Sequence, residues 1–361
     1  MNVKILLKTP AHKIWMILSG IISCMRKVII AIALFFGLFF IFTKMAEVQA
    51  ILDTLKRGDW RFVGLALGLE LVWLLNVAAS YRAIYRILGL DEKIEKLFYM
   101  AAAANFVNIV APSVGVGGMA VFISEARRQG YSSARVTVAG VLFVLFEYIG
   151  FIFVLCLGLF VLFRRNNLNS GELVASAILV AVSAFLALLI FLGMRSAKTL
   201  GRFLAWMGRQ VNRILRPFIK HDYLSERRAH EFAHDIAEGL SELRHKRGNL
   251  FLPAALALSS KALLISILFL MFLAFKVPFT VGTLIAGFSI GYLFLIVSPT
   301  PAGIGVVEGA LTLALTSLNV SLGAAAVLTL AYRGITFWVP LLGGMVAFRW
   351  LSQTEKVESS A

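Results

Sequence analysis

The stretch GYLFLIVSPTPAGIGVVEG, from Gly291 to Gly309, decides how this chain is read. An apolar run stops at Pro299. A loop of small residues follows, with Pro301, Gly303 and Gly305, and the carboxylate of Glu308 then opens the next apolar run. Soluble loops are seldom this apolar, and membrane helices are seldom this broken. Non-helical backbone at membrane depth survives only where protein buries it or a polar cavity lines it. Breaks of this kind mark substrate sites in secondary transporters.

The composition supplies that context. The chain has 361 residues, 60% of them hydrophobic and 15% charged, and its mean hydropathy is +0.86. A soluble domain carries about 25% charged residues, and a bilayer core is crossed by about 20 apolar residues. The fold class is therefore all-α, a polytopic membrane protein. The net charge of +16 reads as loops kept on the cytoplasmic side near anionic lipid, not as a nucleic-acid surface. Cys24 and Cys156 both lie in apolar surroundings and give neither a disulfide framework nor metal-ligand spacing. No cofactor is expected.

Outward from the opening stretch, the chain divides into five segments. Residues 1–27 are basic, with a short apolar core between Ile14 and Met25 and a helix start at Thr9-Pro10, and read as an interfacial helix. A secretory signal is the rival, disfavoured because the core is short and a span follows directly. The first membrane half, 28–194, holds spans at about 28–46, 62–80, 136–163 and 173–194, and a broken apolar segment at 97–126. Residues 195–249 form a basic insert whose last part repeats Phe232, Ile236, Leu240 and Leu243 at helical spacing, an amphipathic helix on a membrane or a partner. The second half, 250–348, holds spans at 250–275 and 322–348 and the broken segment 280–318. A polar tail, 349–361, ends the chain.

Basic loops set the orientation. The insert is cytoplasmic, so 173–194 runs inward and 136–163 outward, and Arg127, Arg128 and Arg135 lie inside. Arg82 to Lys96 is also basic and inside, so both ends of 97–126 face the cytoplasm. Thirty residues broken at Pro112, Gly115, Gly117 and Gly118 cannot span and return; they fit a re-entrant hairpin of two half-helices. By the same parity both ends of 280–318 are outside. The reading is six spans and two opposed re-entrant hairpins, with both termini cytoplasmic in a bacterial inner membrane. Arg164-Arg165, placed outside, runs against the scheme but does not outweigh the insert.

The two breaks match each other. Ile109-Val110-Ala111-Pro112-Ser113 corresponds to Ile296-Val297-Ser298-Pro299-Thr300, an offset of 187, and Gly118 corresponds to Gly305 at the same offset. Opposite parity makes this an inverted repeat, the arrangement that points to a transport site at midplane.

Five charges lie in or at the edge of apolar segments: Glu70, Glu147, Lys261, Glu308 and Arg333. A charge at bilayer depth costs a few kcal/mol, so it faces a partner or a cavity. Glu147 with Arg333 is the expected pair. A buried pair can serve helix packing alone. The functional reading has Arg333 and Lys261 meeting a phosphate while the three carboxylates balance charge or take up protons. Half-helix N-termini at the breaks would add partial positive charge toward a headgroup. Asn105 and Asn108, one turn before the first break, either line the same cavity or pack helices.

One motif competes. His230-Glu231-Phe232-Ala233-His234 is a literal HExxH, which on a helix can hold zinc through His230 and His234 with Glu231 as general base. Charged neighbours crowd it, and Glu238 and His245 are the only nearby third ligands. The expected reading is a solvated helix with no metal, and no enzyme. There is no Walker A sequence, and the Gly115-Gly117-Gly118 cluster lies in a membrane break, not after a strand.

The segments NFVNIVAPSVGVGG, EARRQGYS and SPTPAGIGVVEG resemble the lysylphosphatidylglycerol synthase transmembrane region family, which includes the flippase half of MprF proteins and stand-alone YbhN-like inner-membrane proteins. The resemblance runs over roughly 28–348 and is most specific at Pro299, Gly303 and, one residue late, Glu308. Members often carry an arginine just after the first break; Pro112-Ser113-Val114 has none. Because thirteen residues follow the last span, synthase activity is expected to be absent. The resemblance implies a phospholipid flippase or lipid-handling protein, with membrane phospholipids as partners and no nucleic acid. The alternatives are a non-transporting partner of a lipid-synthesising enzyme and the zinc protease. A homodimer stays open.

Overall fold

Pattern and caps explain where the helices begin and end. The computed structural model describes residues 53–110, 116–166, 170–196, 199–203, 205–206, 209–210, 250–298 and 300–358. These contain ten main helices and no strand: α1 (Trp60–Ile87), α2 (Ile94–Val110), α3 (Val116–Arg128), α4 (Ser133–Arg164), α5 (Ser170–Arg195), α6 (Phe251–Ala274), α7 (Val281–Val297), α8 (Val306–Ser317), α9 (Leu322–Thr336) and α10 (Trp338–Glu358), with a 3-10 turn at Pro301–Gly303. Asp59 caps α1 by accepting from the Arg61 N–H, and Thr280 caps α7 by accepting from the Thr283 N–H. Such caps satisfy amide donors that have no partner inside the helix. All ten helices belong to one compact unit, Thr54–Ala361.

Among the described residues, five helical stretches are long and apolar enough to cross a membrane: α1, α4, α5, α6, and α9 with α10 through Leu351. They coincide with the spans read at 62–80, 136–163, 173–194, 250–275 and 322–348. The span read at 28–46 lies outside the described residues, as do most of the 195–249 insert and the His230, Glu231 and His234 motif. The last span differs from its expectation in one respect: it is two helices meeting at Phe337. Pro340 has no N–H to give to the Thr336 carbonyl, and its ring crowds that carbonyl, so the helix breaks there.

Both broken segments are antiparallel helix pairs. In the second, Gly287 of α7 faces Leu315 of α8 and Gly291 faces Leu311. In the first, Lys96 at the start of α2 pairs with Glu125 at the end of α3, and Gly118 faces Asn108. The open ends of the pairs lie at opposite ends of α4, which is 32 residues long. Arg127, at the open end of the first pair, reaches Ser133 at the start of α4. Arg165, just past its end, donates a 3.1 Å bond to Thr280 at the start of α7. The tip of the second pair, Pro301–Gly303, rests against α2 of the first.

The two halves share their boundaries. Shifted by 187, α2 becomes 281–297, the range of α7, and the end of α1 falls on the end of α6. One buried cluster joins α4, α6, α7, α8 and α9 around Phe151, Phe272 and Phe288. A second joins α1 to α4 around Leu97, Met100 and Val136. Large apolar side chains such as Leu65, Phe153, Phe160, Val174 and Leu313 stay exposed on the outer face, which is what hydrocarbon, not water, accommodates. Between helices in lipid, close contact of small residues does much of the packing. At Gly158 an added Cβ would collide with Ser289 of α7.

Candidate functional site

The halves enclose a cavity of about 330 Å³, walled by α1 to α4 on one side and α6 to α9 on the other. Counterpart positions of the two copies line it together. Val77 and Leu264, Ala104 and Gly291, Asn105 and Tyr292, and Asn108 and Leu295 are each 187 apart, and all eight line the wall. The cavity therefore lies where the two copies meet, but its chemistry is not symmetric. The first copy contributes amides, while the second contributes a phenol and an aliphatic side chain.

Two ion pairs anchor the walls. Lys261 of α6 is fully buried. Its Nζ donates to Glu147 Oε2 at 2.5 Å and to the Tyr292 hydroxyl at 2.6 Å. Ser260 donates to the same carboxylate at 3.4 Å. Arg333 of α9, also buried, donates from Nε to Glu308 Oε1 and from Nη2 to the Ala302 carbonyl, both at 2.9 Å. Glu308 Oε2 in turn accepts the Gly305 N–H at 2.6 Å. Arg333 thus holds the tip of the second helix pair at two points, and Glu308 holds it at a third. Ala302, Gly303 and Gly305 there all have positive φ, a conformation that costs a side-chain-bearing residue such as Ala302 roughly 1 kcal/mol or more.

The expected pairing of Glu147 with Arg333 is not found. α4 packs on α6, which brings Glu147 beside Lys261, and α9 packs on α8, which brings Arg333 beside Glu308. Both charges still line the one cavity. The helix N-termini also differ from expectation, because each is served by the chain itself. At α8 Glu308 takes the Gly305 N–H, and at α3 Asn108 Oδ1 accepts the Gly118 N–H at 2.7 Å.

Of the residues singled out from sequence, Arg333, Glu147, Asn105, Asn108 and Gly118 line the wall. Lys261 and Glu308 stand behind it, each bonded to a wall residue. Gly117 lines a separate hollow between α3 and α10. Pro301, Gly303 and Gly305 form the tip, while Pro112, Gly115 and Pro299 lie outside the described residues. Glu70 is fully buried on α1 and is not part of the wall. Sequence reasoning missed the aromatic lining: Trp73, Tyr81, Phe143, Tyr148, Tyr292 and Tyr332. Tyr81 stacks between Phe122 and Phe143, with 4.2 Å between centroids on either side. Tyr292 was within reach of the sequence, because it is the offset counterpart of Asn105.

The wall thus carries one cation, Arg333, and one carboxylate, Glu147, each paired with an opposite charge behind it and set among aromatic side chains. Among the described residues no cluster of His, Cys, Asp and Glu is arranged to hold a metal ion.

A UPF0104 membrane protein of Methanothermobacter thermautotrophicus is 24% identical over 306 residues, covering 84% of this chain and 89% of that protein. No solved structure matches the chain. Residues 28–344 match the lysylphosphatidylglycerol synthase TM region. That match takes in both helix pairs and every wall residue of the cavity, and the chain is a member of the lysylphosphatidylglycerol synthase TM region family.

Proposed function

We propose that this multi-pass membrane protein moves a phospholipid or lipid-linked molecule between leaflets. The observation that carries the reading is the cavity where the two copies meet, with Arg333 and Glu147 in its wall. In this reading the helix pairs are re-entrant and dip from opposite faces of the cell's inner membrane, and the cavity lies near midplane. The headgroup sits against Arg333, Asn105 and Asn108, and its acyl chains stay among the apolar faces. Lys261 keeps Glu147 oriented. The cost of bringing a charged headgroup to bilayer depth is offset by groups already ordered there.

The test is reconstitution into vesicles that carry a fluorescent phospholipid in both leaflets, with a membrane-impermeant quencher added outside. Wild-type protein should expose inner-leaflet label faster than protein-free vesicles do. Asn105→Trp, which fills the cavity from its wall, should remove that gain, whereas Leu313→Ala on the exposed face should not. Equal rates with and without protein would reject the reading.

A further inference from the structure

Glu70 is the one singled-out charge that the cavity does not use. It sits ten residues into α1, about 15 Å along the helix axis, and its side chain has no exposed surface. Neither carboxylate oxygen has a hydrogen-bond partner among the described residues. The other four charges are all bonded: Glu147 to Lys261, and Arg333 to Glu308.

An ionised carboxylate without a donor or a countercharge is very costly in a dry interior, and such a group takes a proton instead. Among the described residues the neighbouring helices offer no free countercharge. On α9, Tyr332 is the titratable group within electrostatic reach of Glu70; Arg333 beside it is committed to Glu308 and Ala302. On α6, Lys261 is committed to Glu147 and Tyr292. On α4, Glu147 is held by Lys261. α2 carries its charges, Glu95 and Lys96, in its first turn, and α10 from Arg349 onward.

Tyr332 also lines the cavity. The side chain nearest to Glu70 in electrostatic terms on α9 is thus one that the cavity exposes, and α1 and α9 are in contact. A buried carboxyl with no hydrogen-bond partner among the described residues, on a helix that packs against a helix lining a polar cavity, can exchange a proton with that cavity when the helices part.

We propose that Glu70 is a proton-binding site, neutral in this conformation and ionised when α1 and α9 open it to the cavity, so that the protein couples substrate movement to proton movement. The coupling rests on the transport reading above; the proton site does not.

Two measurements separate these. The first is the infrared spectrum of the purified full-length protein at neutral pH. A protonated carboxyl stretching band should be present in the wild type and lost in Glu70→Gln. Glu70→Met, an apolar side chain of similar length, should lose it too and guards against misfolding of the amide variant. A band that is absent from the wild type, or unchanged in both variants, overturns the proposal whatever the vesicles do. The second is lipid movement in vesicles with and without an imposed pH gradient. The gradient should change the wild-type rate, and both variants should lose that response. Wild-type movement indifferent to the gradient overturns the coupling while leaving transport intact. No lipid movement at all defeats the transport reading, and the infrared band alone then decides the proton site.

Discussion

Trp73 donates from its indole Nε1 to the Ser260 hydroxyl at 3.0 Å, and the two residues are 187 positions apart. That is also the offset between the two helix breaks. A residue touches its own repeat counterpart only where the axis relating the copies passes, so this bond marks the axis. Asn76 bonds Ser259 at 2.5 Å one turn away, and the cavity opens beside Trp73.

The bond has a measurable weight. Trp73→Phe and Ser260→Ala each remove it, and a net hydrogen bond contributes about 1 kcal/mol. The double variant should therefore melt closer to the worse single variant than additive losses would put it. Thermal unfolding in detergent checks this. Strict additivity would mean that the two side chains do not act as a pair.

Lys261→Met leaves Glu147 buried without its cation. Breaking a buried pair from one side costs about 3 to 5 kcal/mol, so folded yield on size exclusion should drop sharply. Adding Glu147→Gln should recover most of it, since the uncompensated charge is then gone. A double variant no better than Lys261→Met would show that the pair's geometry, not its charge balance, is what matters.

Arg333 should govern the tip of the second helix pair more than the rest of the fold. With Arg333→Ala, Glu308 and the Ala302 carbonyl lose their donor, and hydrogen exchange should quicken within 300–309. Glu308→Gln keeps an oxygen for the Gly305 N–H and should quicken it less. Peptides from α4 and α6 serve as the reference and should change little in either variant.

Neighbouring glycines of α10 should respond oppositely. A Cβ on Gly344 would run into the Ala102 carbonyl and Phe106 of α2, whereas one on Gly343 meets nothing within 4 Å. Gly344→Ala should therefore lower the melting temperature by pushing α10 off α2. Gly343→Ala should leave it unchanged or raise it, because alanine favours helix over glycine by up to about 1 kcal/mol. Similar effects at both positions would contradict the close α2–α10 packing.

Much of the architecture was legible in the chain itself. Bilayer thickness and helical rise tie a span to a run of about 20 apolar residues, so the five described spans could be located by composition. The breaks were legible because proline and glycine act through the local backbone: Gly305 needs its positive φ whatever surrounds it. The repeat was legible because both copies kept their breaks at the same spacing. For the same reason Arg333, Glu147, Asn105 and Asn108 could be named as facing a common space. An amide or a charge in an apolar run has few other places to go.

Which charge meets which was decided by packing alone. Glu147 and Arg333 occupy nearly equivalent positions in the two copies, and nothing local distinguishes one opposite charge from another as a partner. The contact of α4 with α6 and of α8 with α9 assigns Lys261 to the first and Glu308 to the second. The aromatic wall was hidden likewise, since a tyrosine in a membrane helix reads the same whether it faces lipid, a neighbour or a cavity. Glu70 is the sharpest case. Its sequence context resembles that of Glu147, yet one is bonded and the other has no partner among the described residues. Sequence determined that these polar groups had to be buried, because water is excluded at their depth; only the tertiary arrangement decided which were satisfied, because partners come from helices distant in the chain.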